Sequence, residues 1–206
     1  MGCNSAIDSQ CLPWESPYHK VTLAAFDIDQ TEVTQHAYQA CLAAGVCSAP
    51  IIGFDPDVRP SVPVAHLNWD QARAYCVWAG KRLPTEAEWE KAARGTDGRI
   101  YPWGDGAPDC EHANFLHCGN DLQPVGSHPK GASPYGALDM AGNAGEFVSD
   151  WFGSDYYLNS PMDNPMGPVS GVSKVARGGY YNSLMEDLRV SARNARNEAV
   201  GMRCAR

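Results

Sequence analysis

Eight cysteines in 206 residues constrain this chain more than any other feature of its sequence. Six of them lie close together in pairs, Cys3 with Cys11, Cys41 with Cys47 and Cys110 with Cys118, which leaves Cys76 and Cys204 over. None stands in a Cys-x-x-Cys step or in a cysteine–histidine array of zinc-finger spacing, which argues against a structural zinc site. Three short bridged loops and one long-range staple are the economical reading, and a single free thiol would reopen the pairing. Disulfides persist in oxidising compartments, so the chain is expected to be secreted, periplasmic or at a cell surface. It shows no signal peptide, and one is expected to have been removed or left out.

Composition fits one globular domain over residues 1–206, with 44% hydrophobic and 19% charged residues. Twenty glycines and 15 prolines point to short elements and many loops. No apolar run is long enough for a membrane span. The net charge of −8 excludes a typical nucleic-acid binder, which shows a basic face. Residues 177–206 run against that balance, with six arginines facing only Glu186, Asp187 and Glu198. Arginines so dense either clamp an anionic ligand or pair with the acidic remainder of the domain.

Local patterns place four elements. The stretch "HKVTLAAFDIDQTEVT" alternates Val21, Leu23 and Ala25 with Thr22, Ala24 and Phe26, as a half-buried strand would. Thr34 suits the N-cap of a helix "QHAYQACLAAG" that Gly45 would end. Asn68 caps a second helix, where Ala72, Tyr75, Cys76 and Ala79 share one inward face. Thr85 and Glu88 form a capping box for a third, closed by Gly95, with Trp89 and Ala92 toward the core. After Gly95 turn chemistry dominates. A run of that length in a compact domain calls for pins such as disulfides or a bound cation.

The stretches "TEVT", "WDQARAYCVWAGKRLPTEAEWEKAARG", "YPWG", "PVGS", "YGALDMAGNAGEF" and "ARGGYY", followed by "RVSAR" and "GMRC", together resemble the formylglycine-generating enzyme family, the sulfatase-modifying factor domains. The order and spacing match over nearly the whole chain. The resemblance implies an irregular α/β (α+β) fold related to C-type lectins, with little regular secondary structure. Met1-Gly2 resembles the end of the family's first strand, whose earlier part is expected to be missing. The resemblance also implies a bridge between Cys76 and Cys204, whereas a second family disulfide would need a cysteine near Ala93.

Catalytic members oxidise a sulfatase cysteine to formylglycine with copper held by two cysteines just after the Arg-Gly-Gly. Here that stretch reads "YYNSLMEDLRV", with Ser183 about where the first ligand would sit. A hydroxyl cannot replace a thiolate for Cu(I), so copper is not expected. Sulfoxide-synthase relatives bind iron through histidines, but His19, His36, His66, His112, His117 and His128 are scattered. Structural Ca²⁺ is expected instead. The resemblance maps calcium ligands onto Asp139, Gly142, Ala144 and Glu146, a turn mixing side-chain and backbone oxygens. A second site would begin at Asn114 and Phe115, with Asn120 or Asp121 completing it; the other reading of the first loop is that Asp139 and Glu146 cap turns while Asn143 holds a left-handed position.

These readings lead to a non-catalytic domain that binds an unknown ligand, polysaccharide or protein, or that serves as a structural module. The alternative is an oxidase making formylglycine. Tyr180, Tyr181, Asn182, Arg189, Arg193, Asn194 and Arg196 are the binding candidates, since Tyr, Asn and Arg serve recognition. Arg177, Arg193 and Arg203 sit in framework motifs and are also expected to pair with buried carboxylates.

Overall fold

In the computed structural model, which describes residues 1–206, three capped helices begin where side chains take over orphan backbone amides. Helix α1 (Gln35–Ala43) starts at Thr34, whose hydroxyl accepts from Ala37 N at 3.2 Å. Helix α2 (Trp69–Trp78) carries a reciprocal box: Asn68 accepts from Gln71 N, and Gln71 accepts from Asn68 N. Helix α3 (Glu86–Arg94) uses Thr85 and Glu88 in the same way. Gly95 ends α3 at a φ of 76°, and a side chain there would meet Pro134 at 2.9 Å.

The helices enclose a small antiparallel sheet of β1 (Glu146–Trp151), β2 (Lys174–Arg177) and β3 (Asn194–Arg196), in that order. Glu146 pairs with Arg177 and Phe147 with Ala176; Val175 pairs with Ala195. Successive residues of a strand face opposite sides. Phe147 and Ala176 pack with Tyr38 and Cys41 of α1 and with Ala72, Tyr75 and Cys76 of α2. Val148 and Val175 pack on the other side with Trp89, Ala92 and Ala93 of α3. Single 3-10 turns at Pro13–Glu15, Pro129–Gly131, Tyr156–Leu158 and Met185–Leu188 complete the regular structure. No helix is long and apolar enough to cross a membrane.

All eight cysteines are joined as Cys3–Cys11, Cys41–Cys47, Cys76–Cys204 and Cys110–Cys118. The helix face of α2 turns Cys76 fully inward, onto the last residues of the chain.

The expected strand over Val21–Phe26 does not form. Thr22 makes an isolated bridge to Asp163; Val21 and Leu23 are half-buried between exposed Thr22 and Ala24, but the alternation breaks at exposed Ala25 and half-buried Phe26. The backbone groups of Val21, Leu23 and Ala25, however, find no partner strand, so there is no ladder. These residues wall a groove of about 870 Å³ against Ala87, Glu90 and Lys91 of α3.

Buried ion pairs tie the C-terminal segment to the rest. Arg193 donates from Nε and Nη2 to Glu86 at 2.6 and 2.8 Å, and Arg177 donates to Glu90. Arg189 grips both oxygens of Glu15 at 2.8 Å and reaches Asp8 at 3.0 Å. Arg203 grips Glu146 at 2.7 Å through both Nε and Nη2. Each of these arginines is at most 3% exposed. Burial alone would push the Glu90 carboxyl up, but Arg94 and Arg177 outweigh it and hold it below its ordinary range.

Asp150 of β1 is the exception. It accepts from Glu86 N at 2.8 Å and from the Ser149 hydroxyl, fixing the start of α3, yet has no bidentate cation. Burial, and then the charge of Glu86, push its carboxyl up to about 7. A raised carboxyl means the folded state holds a proton that the unfolded chain releases near pH 4. Stability from this group is therefore present below that range and lost as pH rises through about 7. Between pH 5 and pH 8 the melting temperature of Asp150→Asn should fall less than that of the parent; parallel profiles would refute the assignment. The Cys76–Cys204 bridge spans 128 residues. The double substitution Cys76→Ala/Cys204→Ala should cost up to ~4–5 kcal/mol in denaturant melts, an effect that the two short-loop bridges nearest the N-terminus should not match.

Candidate functional site

The C-terminal segment enters its loop through Gly178 and Gly179, both at positive φ. Tyr180 then folds back over Gly145, where a Cβ would stand 2.8 Å from its ring. Burial pushes the Tyr180 hydroxyl up to about 12, so it stays a neutral phenol. The Arg196 guanidinium lies 5.6 Å from the ring centroid. Ser183 shapes the turn: its hydroxyl accepts from Tyr180 N at 3.1 Å, and its carbonyl accepts from Leu116 N at 3.1 Å. Leu188 closes the loop, fully buried against Ala113, Phe115 and Ala141.

The binding candidates separate sharply. Asn182 and Arg196 are exposed, Tyr180 and Tyr181 are half-buried, and Asn194 is half-buried at the edge strand β3, paired with Ala176. Arg189 and Arg193 do not belong to the surface. Both guanidiniums are taken up by buried carboxylates, because an unpaired charge in that interior would be far costlier than a paired one. Leu184 and Met185, 53% and 49% exposed beside Asn182, were not among the candidates. Their signal was an apolar pair inside an otherwise polar turn, "NSLMED".

The loop Asp139–Glu146 is built around Gly142, whose would-be Cβ lies 2.2 Å from the Asn114 carbonyl oxygen, so only glycine fits. Asp139 and Asn143 take left-handed φ values of 56° and 57°. The carbonyls of Asn143 and Gly145 accept from Tyr181 N and Gly201 N, whereas those of Gly142 and Ala144 accept no hydrogen bond. Asp139, buried, accepts from Gly126 N at 2.6 Å. Glu146 has both oxygens on Arg203, and one also accepts from Trp89 Nε1 at 2.7 Å.

Glu32, which sequence reasoning missed, completes this surrounding. One oxygen accepts from Asn143 Nδ2 at 3.0 Å and Ala144 N at 3.3 Å; the other is buried with no partner. Burial first, then the charges of Asp139 and Glu146, raise the Glu32 carboxyl well above its ordinary value. Free carbonyls, carboxylates and an orphaned buried oxygen are the donor set of a hard cation such as Ca²⁺. The residues fit that ion.

The second expected site is less complete. Asn114 Oδ1 is buried without a partner, but the Phe115 carbonyl accepts from Cys118 N. The Asp121 carboxylate turns to Arg59 at 3.1 Å, and only its main-chain carbonyl meets Asn114. Asn120 is exposed. Cys3, Asp8 and Cys11 are the one group of ligand-type side chains gathered within 4.8 Å, and their sulfurs are joined to each other. No histidine enters such a group.

Against known proteins, the family model described as sulfatase-modifying factor enzyme 1-like domain matches residues 1–206. The formylglycine-generating enzyme of Streptomyces coelicolor is 35% identical, over 93% of this chain and 81% of that protein. The serine/threonine-protein kinase Pkn1 of Chlamydia trachomatis serovar L2 is 44% identical over 93% of this chain, which spans only 35% of that relative's length. Among solved structures, PvdO from Pseudomonas aeruginosa superposes with a TM-score of 0.84 at 26% identity, covering 100% of this chain and 89% of that one. With its three helices, its small sheet, its irregular α+β architecture and its match from end to end, this chain belongs to the formylglycine-generating enzyme family of sulfatase-modifying factor domains.

Proposed function

We propose that this chain is a non-catalytic member of the family, a disulfide-linked and calcium-stabilised module that binds a polysaccharide or protein on the surface around Asn182. The observation that carries the reading is the state of sulfur: every cysteine is in a disulfide, and none lies in Tyr180–Leu188. A Cu(I) centre needs soft thiolates, and the hydroxyl of Ser183 is both hard and already accepting from Tyr180 N. The residues present do not fit copper.

Asn182, Leu184, Met185 and Arg196 form the exposed face, held by Tyr180 and Leu188 beneath it. An adaptable polar tip with two apolar side chains suits recognition on a rigid scaffold. Calcium would neutralise the carboxylates under that scaffold and join the Asp139–Glu146 loop to its neighbours. Four disulfides are compatible with a secreted, periplasmic or surface location. The long kinase relative, of which this domain matches about a third, supports a role as one module of a larger protein.

A sulfatase-type cysteine peptide incubated with copper-loaded protein should remain unoxidised by mass spectrometry, and Ser183→Cys alone should not change that. Turnover by the unaltered chain would overturn the reading in favour of the oxidase, which the 35% identity to the Streptomyces enzyme makes the second reading. For binding, a glycan and peptide array probed with the protein should lose its hits with Asn182→Ala/Leu184→Ala at an unchanged melting temperature. Equal retention by that variant would remove this surface from the proposal.

A further inference from the structure

We propose that Glu32 is itself a ligand of the cation at the Asp139–Glu146 loop, supplying through its unpartnered oxygen the second negative charge that a divalent ion requires there. The inference rests on the calcium reading above and adds a residue 107 positions before Asp139 in the chain.

Three observations carry it. Glu32 is 2% exposed, and one of its carboxylate oxygens is buried with no hydrogen-bond donor near it. Proteins leave such an atom bare rarely, and an unobserved ion or water is the usual reason. Its other oxygen is held by Asn143 Nδ2 and Ala144 N, so the carboxylate is locked onto the loop whose Gly142 and Ala144 carbonyls point to no donor.

Charge counting gives the third. Glu32, Asp139 and Glu146 are all buried. Arg203 is engaged through Nε and Nη2 by Glu146, and its Nη1 donates to the Asp29 and Gln30 carbonyls, so neither Glu32 nor Asp139 has an ion-pair partner. Glu146 and Arg203 therefore cancel, and Glu32 and Asp139 remain as two uncompensated buried charges. Burying two like charges without a counter-ion is strongly unfavourable, and a divalent cation removes the imbalance in one step. The oxygens of all three carboxylates are not gathered within 4.8 Å of one another, so the shell cannot consist of carboxylates alone and needs the Gly142 and Ala144 carbonyls. Calcium tolerates such a shell, because it accepts mixed carboxylate and carbonyl oxygens in flexible geometry.

The test is calcium titration by calorimetry on the chelator-stripped protein, with melting curves in Ca²⁺ and in EGTA. The parent should bind Ca²⁺ and melt higher with it. Glu32→Gln should bind at least about tenfold more weakly, since affinity follows the count of charged ligands. In EGTA the same variant should melt no lower than the parent, because it removes an uncompensated charge while Gln can still accept from Asn143 and Ala144. A merely structural glutamate would instead lower the melting temperature in both conditions. Calcium affinity unchanged in Glu32→Gln would overturn this inference and leave the calcium reading standing; no response of the parent to Ca²⁺ would overturn both. Should Glu32→Gln not fold, Glu32→Asp keeps the charge and draws the oxygen back: weaker calcium binding than the parent supports the assignment, and equal binding refutes it.

Discussion

Four buried arginines, paired with buried carboxylates, hold together a chain that regular secondary structure could not hold alone. Only 24 of its 84 backbone hydrogen bonds lie within helices and strands, so most of the fold is turn and loop. Arg189 reaches to Glu15 and Asp8 near the N-terminus, Arg193 and Arg177 to Glu86 and Glu90 of α3, and Arg203 to Glu146 of β1. Each contact spans a long stretch of sequence. A buried pair contributes little net stability against a well-packed apolar substitute, but breaking one side leaves a charge that the interior cannot solvate. Their effect is thus specificity: one arrangement of loops pairs all four arginines at once.

Around that frame the disulfides and the Asp139–Glu146 loop act on the same problem at different ranges. The Cys110–Cys118 bridge closes the turn-rich middle locally, and Leu116 N ties that turn to Ser183 of the C-terminal loop. Gly142 brings the Asp139–Glu146 loop onto the Asn114 backbone, and Asn143 links Asn114 to Glu32 through its amide. The surface around Asn182 consequently sits over a layer of loops whose positions depend on one another. Rigidity beneath an exposed tip is what lets a loop recognise a partner without a large ordering cost.

The helix signals were legible residue by residue. Thr34, Asn68 and Thr85 cap as read, because a cap needs only a side chain and an amide a turn away. The inward face of α2, the pairing of the cysteines and the membership of a family spread over the whole chain were legible for the same reason: each is a pattern of spacing or of order. The strand over Val21–Phe26 was misread because local alternation does not say whether a neighbouring backbone exists to pair with, and the burial pattern itself breaks at Ala25 and Phe26. Arg189 was misplaced on the surface, and Arg193 was left between surface candidate and buried partner, because composition cannot tell a clamp from a buried partner; it shows six arginines but not the glutamates waiting for them.

The sequence by itself determined the three helices, the four bridges and the absence of a thiol where a copper centre would need one, since all of these are written in residue identity and spacing. Tertiary structure alone decided which charges meet. Glu32 stands in an unremarkable "TEVT", and nothing local marks it. Only folding carries it across 107 residues to Asp139 and leaves one of its oxygens bare in the interior, because desolvation and Coulomb energy depend on distance in space rather than along the chain.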